Sequence, residues 1–540
     1  MKARWFLEAT GSAVVLLFPV LAPVVSPGYR FVYHHQTPLT HLMNGLLLDF
    51  AGLTVAGLLV MVLLPHLSSV PRRLASGCLT GLFLWTFAYC AIILATNWEW
   101  RDLSELPGPS VMGSIDVMWH RWGFPLATGL PLVLSALAWL RPGAGRVAVR
   151  ATRFALAAVA FCSVWIVLKL VYLDFNAHAS TPVLAASAEA EGGRKGRIVW
   201  ILFDELSYKL AVSEPPRGQD FPNLRRLHAE SISFGNLKPV GNFTELIIPS
   251  VLARREIAGI RSTPDGRPFY QERTQREWKR YEPSETIFGI ARANGWNAGV
   301  AGWDIPYCRI FGGLLTRCFW QPGIGNGLAF EPWAGEKTSA ISYAWALPRA
   351  FAAQLYSRRE ANNKRLAGMI VDGQQLMAAG EDMLRDTRVH FVFIHLPVPH
   401  PPGVYDRRTH RPCECGNYLD NLTMADDMLG RLMQEIDETS GTAGTAVIVS
   451  SDHSFRVPMW KASPYWSAEE ERVTQGVFDP RPVFMVHFAG ERAGREVMAS
   501  LPELVEYDVI AGMLKGKITA PSDVEELVSS PAEVAAAEGH

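Results

Sequence analysis

The chain has 540 residues, a net charge of −1 and 49% hydrophobic residues. That length is too great for one compact domain, and the near-zero charge argues against a nucleic-acid partner. The apolar residues crowd into the first third, which excludes a wholly soluble protein.

Apolar segments lie near residues 7–26, 43–66, 74–96, 122–140 and 152–174. Each is close to the roughly 20 residues that cross a bilayer. The first, with Lys2 and Arg4 ahead of it, could alone be a cleaved leader. Four further segments make it an anchor. Lys2 and Arg4, then Arg72 and Arg73, then Arg141, Arg146, Arg150 and Arg153 mark the cytoplasmic loops. Five spans starting inside place everything after about residue 175 outside. The loop 97–121 should face outward, and its Trp98, Trp100 and Trp119, with Trp122 beyond, fit a headgroup-level belt. Asn44 and Asp49 sit near the outer end of the second span, where a carboxylate is either functional or interfacial.

Residues 176–196, NAHASTPVLAASAEAEGGRKG, read as a linker. Residues 197–520 alternate strands and helices. IVWILF (198–203), GWNAGVAGW (295–303), VHFVFIHL (389–396), TAVIVSSDH (445–453) and PVFMVHF (482–488) are strand-like. FPNLRRLHAES (221–231) and NYLDNLTMADDMLGRLMQEIDE (417–438) have helical spacing. Buried β runs separated by helices predict a mostly parallel sheet covered by helices. The acidic, Ala-rich stretch 521–540 reads as a flexible tail, either a frayed helix or disordered.

Cys78, Cys90 and Cys162 fall in spans. Cys308, Cys318, Cys413 and Cys415 fall in the exported part, where an even number predicts two disulfides. The local pairings are Cys308–Cys318 and Cys413–Cys415, the second closing a very small ring.

Chemistry concentrates where predicted strands stop, the usual ligand edge of such sheets. Asp204 and Glu205 follow the first strand, and Asp452 and His453 follow TAVIVSS. Hard oxygens plus one imidazole suit a divalent cation, although a strand-end Asp is often only a helix cap. In GNFTELIIPS (241–250), Asn242-Phe243-Thr244 fits a glycosylation acceptor, and the apolar run fits a buried strand. Alternatively, Thr244 precedes a helix with Pro249 in its first turn. A phosphoryl group there would meet the helix dipole, and a metal would make the hydroxyl a usable nucleophile. His400, in the Pro-rich LPVPHPPGVYD, could donate a proton or bind phosphate. His395 reads as a core or supporting histidine.

Taken in order, ILFDELSY, FPNLRRLHAESISFGN, ETIFGIARANGWNAGVAGW, YLDNLTMADDMLGRL and VIVSSDHSF resemble the sulfatase-like branch of the alkaline phosphatase superfamily. With the membrane anchor, the chain further resembles lipid A phosphoethanolamine transferases and lipoteichoic acid synthases. The resemblance implies a Thr nucleophile that carries a phosphoryl group and one Zn²⁺ or Mn²⁺. Its ligands would be Asp204 (with Glu205 beside it), Thr244, Asp452 and His453. His400 would serve in catalysis and substrate binding, and Trp303 and Asn242 would line the headgroup site. Ser454 stands where the family has Gly, and the additional histidine of the phosphoethanolamine transferases has no match. The formylglycine motif of true sulfatases is also missing: Ile247 lies two before Pro249, and no Arg lies two after it.

The expectation is a metal-dependent phosphotransferase of the bacterial cytoplasmic membrane, monomeric, with its catalytic domain on the periplasmic or extracellular side. It would move a phospholipid headgroup unit through Thr244 to an envelope lipid, glycan or glycolipid. The alternatives are a membrane-bound phosphodiesterase or phosphatase, and a non-catalytic lipid-sensing regulator.

Overall fold

The computed structural model describes most of the chain; outside the described residues lie chiefly 97–121, 178–182, 188–195, 324–338, 345–357, 441–443 and 530–540. The expected tryptophan loop therefore lies outside the described residues, apart from Trp122. The chain forms two compact units. One comprises residues 1–179 with 261–266 and 327–362, and the other comprises 180–260, 267–326 and 363–540. This is not the single cut expected near residue 176.

The first unit is built on α1 (Lys2–Val25), α2 (Leu39–Leu63), α3 (Ser69–Thr96), α4 (Pro142–Val159) and α5 (Cys162–Asn176). Among the described residues, four segments are long and apolar enough to cross a membrane: Ala3–Val25, Leu39–His66, Ser69–Ile92 and Gly143–Asn176. At the expected fourth span, 122–140, the apolar helix covers Thr128–Leu137. Residues 122, 125–126 and 139–140 are also helical, and the positions between them lie outside the described residues, so the length of this span is not settled by the described residues. Leu17, Leu21, Leu42, Leu46, Ile166 and Leu170 pack α1, α2 and α5 together. The opposite flank of α2 leaves Leu48, Val55, Leu59 and Leu63 at least half exposed, the surface a lipid phase covers. A Cβ on Gly11 would lie 1.8 Å from the Leu156 carbonyl oxygen, so only glycine permits this approach of α1 to α4. Buried Glu8 is paired with Arg4 at 2.8 Å and Arg153 at 2.7 Å. Asp49 is buried.

The second unit carries an eight-stranded sheet: β1 (Arg197–Asp204), β2 (Ile232–Phe234), β3 (Ala298–Trp303), β4 (Leu315–Gln321), β5 (Phe391–Pro399), β6 (Thr445–Ser451), β7 (Phe484–His487) and β8 (Arg495–Val497), in the order β8-β2-β7-β6-β1-β5-β3-β4. From β6 to β4 every neighbouring pair is parallel, whereas β7 runs antiparallel to β6 and β2. All eight residues of β1 are buried, as expected for a strand covered on both faces. Ile201, Phe203, Ile394, Leu396 and Val449 join a core completed by residues of α8 (Arg358–Arg385) and α9 (Tyr418–Ser440). The Pro-Asn-Leu segment opens α6 (Pro222–Ala229), which is capped from α9: the Asp426 carboxylate accepts from Leu224 N at 2.7 Å and Asn223 Nδ2 at 3.0 Å.

Several features depart from the sequence reading. The edge strands β4 and β8, the short β2 between β8 and β7, and the long α8 were not expected. Val183–Ser187 is not a detached linker, because Ala185 N donates to Leu315 O at 2.9 Å. The tail begins with a helix, Pro521–Ser529, that buries Pro521 and Val524. Both expected cysteine pairs are bonded, Cys308–Cys318 and Cys413–Cys415.

The number of crossings fixes the side on which the second unit stands. We expect Val183→Cys, at a position 87% exposed, to react from outside the membrane with an impermeant maleimide when Cys78, Cys90 and Cys162 are replaced by alanine. Labelling only after lysis would indicate an even number of crossings.

Candidate metal and nucleophile site

Strand register brings the acidic residues together. On β1, Phe203 lies opposite Ser451 of β6 on one side and Leu396 of β5 on the other. The following residues, Asp204 and Asp452, therefore emerge side by side at the C-terminal edge. Asp204 itself pairs with Pro399, directly before His400.

Two cross-laced turns fix these ends. Glu205 has φ +68°, a conformation costly for a side-chain-bearing residue. Its N–H donates to Asp452 Oδ1 at 3.1 Å, and the same oxygen accepts from His453 N at 2.8 Å. Ser451 Oγ accepts from Leu206 N at 2.8 Å and donates to His453 O at 2.7 Å. Tyr418 Oη, from α9, donates to Glu205 O at 2.7 Å.

Asp204, Asp452 and His453 each offer one ligand atom, all within 4.8 Å of one another and all buried. His453 Nδ1 donates to the Ser454 carbonyl at 3.1 Å, which turns the Nε2 lone pair inward. That Nε2 lies 3.6 Å from Asp204 Oδ1 and 3.3 Å from Asp452 Oδ2. Among the described residues neither oxygen of Asp204 has a hydrogen-bond partner, although the side chain is fully buried. An isolated buried carboxylate is costly, so this donor set suits a divalent cation.

Thr244 joins the cluster from α7 (Thr244–Ala253). Its Oγ1 donates to Asp452 Oδ2 at 2.6 Å and lies 3.4 Å from His453 Nε2. Thr244 is the first residue of the helix, after the extended Phe243, so the positive end of the helix dipole points at this hydroxyl. Pro249 falls inside the helix, not in its first turn as expected. The removed N–H is one that the Glu245 carbonyl would otherwise accept.

Glu205 does not join the cluster. Its carboxylate accepts from Arg456 Nε at 2.7 Å, Arg456 N at 3.1 Å and Trp460 Nε1 at 2.8 Å. These donors occupy the oxygens that metal ligation would need. Arg456 and Trp460 were missed by the sequence reading; the only signal was a cation in the apolar run FRVPMW, four residues after Asp452. Arg456 also reaches His400 Nε2 at 3.2 Å and the carbonyl of Asn242 at 3.2 Å. For Asn242 it is thus the backbone that is engaged, while its side chain makes no such contact. The His400 ring stands edge-on between Trp303 and Trp460, at centroid distances of 5.9 and 5.2 Å. Asn421, also missed, braces the His400 loop: its Nδ2 donates to the carbonyls of His400 and Pro402 at 3.1 and 3.0 Å, and its Oδ1 accepts from Val404 N at 2.9 Å. His395 is buried beneath Trp303 and hydrogen-bonds Tyr307 Oη at 3.0 Å, a supporting position.

Electrostatics separate these groups. Burial, then repulsion by Asp452 and Glu205, raises the Asp204 carboxyl well above its usual range. Burial pushes Asp452 up to about 7, and burial holds His453 well below the ordinary imidazole range. Burial also opposes ionisation of Glu205, but the Arg456 guanidinium beside it outweighs that and brings the carboxyl down to about 2. Glu205 thus favours its charged form, whereas burial makes proton binding at Asp204 and Asp452 compete with a cation. Zn²⁺ affinity of the purified chain should fall as pH drops through about 7, by up to about tenfold per pH unit for each proton displaced. Competition with a chelating dye measures this. Affinity unchanged between about pH 8 and 6 would contradict a site built on these carboxylates.

Residues 257–457 match the sequence model of the type I phosphodiesterase / nucleotide pyrophosphatase family. The match contains His400, Asp452, His453 and Arg456, and it ends outside Asp204 and Thr244. No curated protein matches the sequence. Similar solved structures include the PsFucS1 sulfatase from Pseudoalteromonas sp., 14% identical with a TM-score of 0.40, covering 64% of this chain and 75% of that one. The phosphonate monoester hydrolase of Agrobacterium radiobacter is 11% identical with a TM-score of 0.35, covering 59% and 74%. A protein in the alkaline phosphatase superfamily from Vibrio parahaemolyticus is 13% identical with a TM-score of 0.33, covering 63% and 74%. These three are too distant to carry function. The family match supports phosphoryl-group chemistry in general.

Proposed function

We propose that this chain, whose residues 257–457 match the type I phosphodiesterase / nucleotide pyrophosphatase model and whose motifs resemble the sulfatase-like branch of the alkaline phosphatase superfamily, is a membrane-anchored phosphotransferase with Thr244 as its nucleophile. The carrying observation is the 2.6 Å hydrogen bond from Thr244 Oγ1 to Asp452 Oδ2, at a helix start beside Asp204 and His453. The proton that the nucleophile must lose already points at a carboxylate. The Oγ1–phosphorus bond forms as the bond to the donor's alcohol breaks, and that alcohol leaves carrying a proton. The α7 dipole favours the anion at this point. A divalent cation, Zn²⁺ or Mn²⁺, held by Asp204, Asp452, His453 and the Thr244 hydroxyl would supply charge neutralisation and lower the hydroxyl pKa.

The donor we favour is a phospholipid headgroup, because the same chain carries four helices able to cross a membrane. The acceptor would be an envelope lipid, glycan or glycolipid. The setting would be a bacterial cytoplasmic membrane, with the chain monomeric and its second unit on the periplasmic or extracellular side. The family match favours one rival, a phosphodiesterase in which water takes the second step. A purely regulatory, non-catalytic protein would have no need for the Thr244–Asp452 contact.

Intact-mass measurement of the full chain after incubation with phospholipid vesicles and Mn²⁺ or Zn²⁺ tests the proposal. A headgroup-sized adduct should appear on Thr244 and be absent in Thr244→Ala, whose turnover should fall by on the order of 10³-fold or more. Equal turnover in wild type and Thr244→Ala would refute the covalent reading.

A further inference from the structure

Arg456 touches three of the segments that meet at the site. Its Nε donates to Glu205, its Nη1 to the carbonyl of Asn242, two residues before Thr244, and its Nη2 to His400. A guanidinium has five N–H donors in one plane. These contacts take three of them and lock the plane, leaving two without a partner among the described residues.

We propose that Arg456 grips the non-bridging oxygens of the phosphoryl group beside Thr244, and that His400 is a neutral acceptor that positions Arg456 and does not donate a proton. The inference rests on the phosphoryl-transfer reading above and assigns the anion-binding group within it.

The donor rule decides the role of His400. A guanidinium cannot accept a hydrogen bond, so at 3.2 Å His400 Nε2 must present its lone pair and carry its proton on Nδ1. A proton on Nε2 would set donor against donor beside a fixed cation. Glu205 Oε2, at 4.0 Å from Nε2, is too far to accept such a proton in a hydrogen bond. Trp303 and Trp460 hold the ring edge-on and prevent it from swinging away. A purely structural ion pair would need only Glu205. The further ties to Asn242 O and His400 hold the fork against the backbone two residues before the start of α7. Tetrahedral oxyanions are recognised by such fixed, planar donor pairs.

The test is calorimetric titration of inorganic phosphate into the full-length, Zn²⁺-loaded chain in detergent. Arg456→Lys keeps the charge that neutralises Glu205 but loses the fork, and it should weaken phosphate by about tenfold or more. His400→Gln keeps an acceptor and should stay within about threefold of wild type, at a ratio that is flat between about pH 5.5 and 8. The proposal is overturned if wild type binds no phosphate at millimolar concentration, or if Arg456→Lys binds like wild type. It is equally overturned if His400→Gln loses tenfold, or if the wild-type advantage over it grows as pH falls. Should Arg456→Lys not fold, the His400→Gln arm alone decides. Failure here with the Thr244 adduct intact sinks only the assignment of Arg456. Loss of the adduct with phosphate still gripped by Arg456 sinks only the transferase reading.

Discussion

Two carboxylates from neighbouring parallel strands end side by side in a water-poor edge, and most of the site follows from that. The β1–β6 register places Asp204 next to Asp452, and burial together with their mutual repulsion makes two bare charges untenable there. Protons or a cation must neutralise them. The surrounding contacts favour a cation. His453 turns a lone pair inward, Asp204 keeps both oxygens without donors among the described residues, and Thr244 brings a hydroxyl to the same point.

The neighbouring Glu205 shows how a one-residue step changes a carboxylate's fate. The left-handed turn after β1 throws its side chain away from Asp204 and onto Arg456 and Trp460. There it is ionised and satisfied. One turn thus sorts two adjacent acids, one left for a metal and one for a guanidinium. The same guanidinium ties together the Asn242 and His400 segments, which come from distant parts of the chain.

Much of this was legible in the sequence, and the reason is physical. Buried parallel strands are near-continuous apolar runs, so IVWILF and TAVIVSS identified themselves, and chemistry at their ends followed from sheet geometry. Asp204, Thr244, Asp452 and His453 were named from those ends and from the ordered motifs. Short strands such as Ile232–Phe234 were missed because three residues carry no periodicity. Glu205 was paired with Asp204 because spacing says nothing about the backbone angle between them. Arg456, Trp460 and Asn421 act through tertiary contacts across long sequence separations, for which one sequence holds no rule.

X-ray absorption at the metal edge of the purified full-length chain tests the central claim most directly. The account predicts one Zn²⁺ or Mn²⁺ per chain, bound by one imidazole and otherwise by oxygen, with the signal lost in Asp204→Ala. A metal–metal vector at about 3.5–4 Å, or a chain that binds no metal with Asp204 intact, would contradict it.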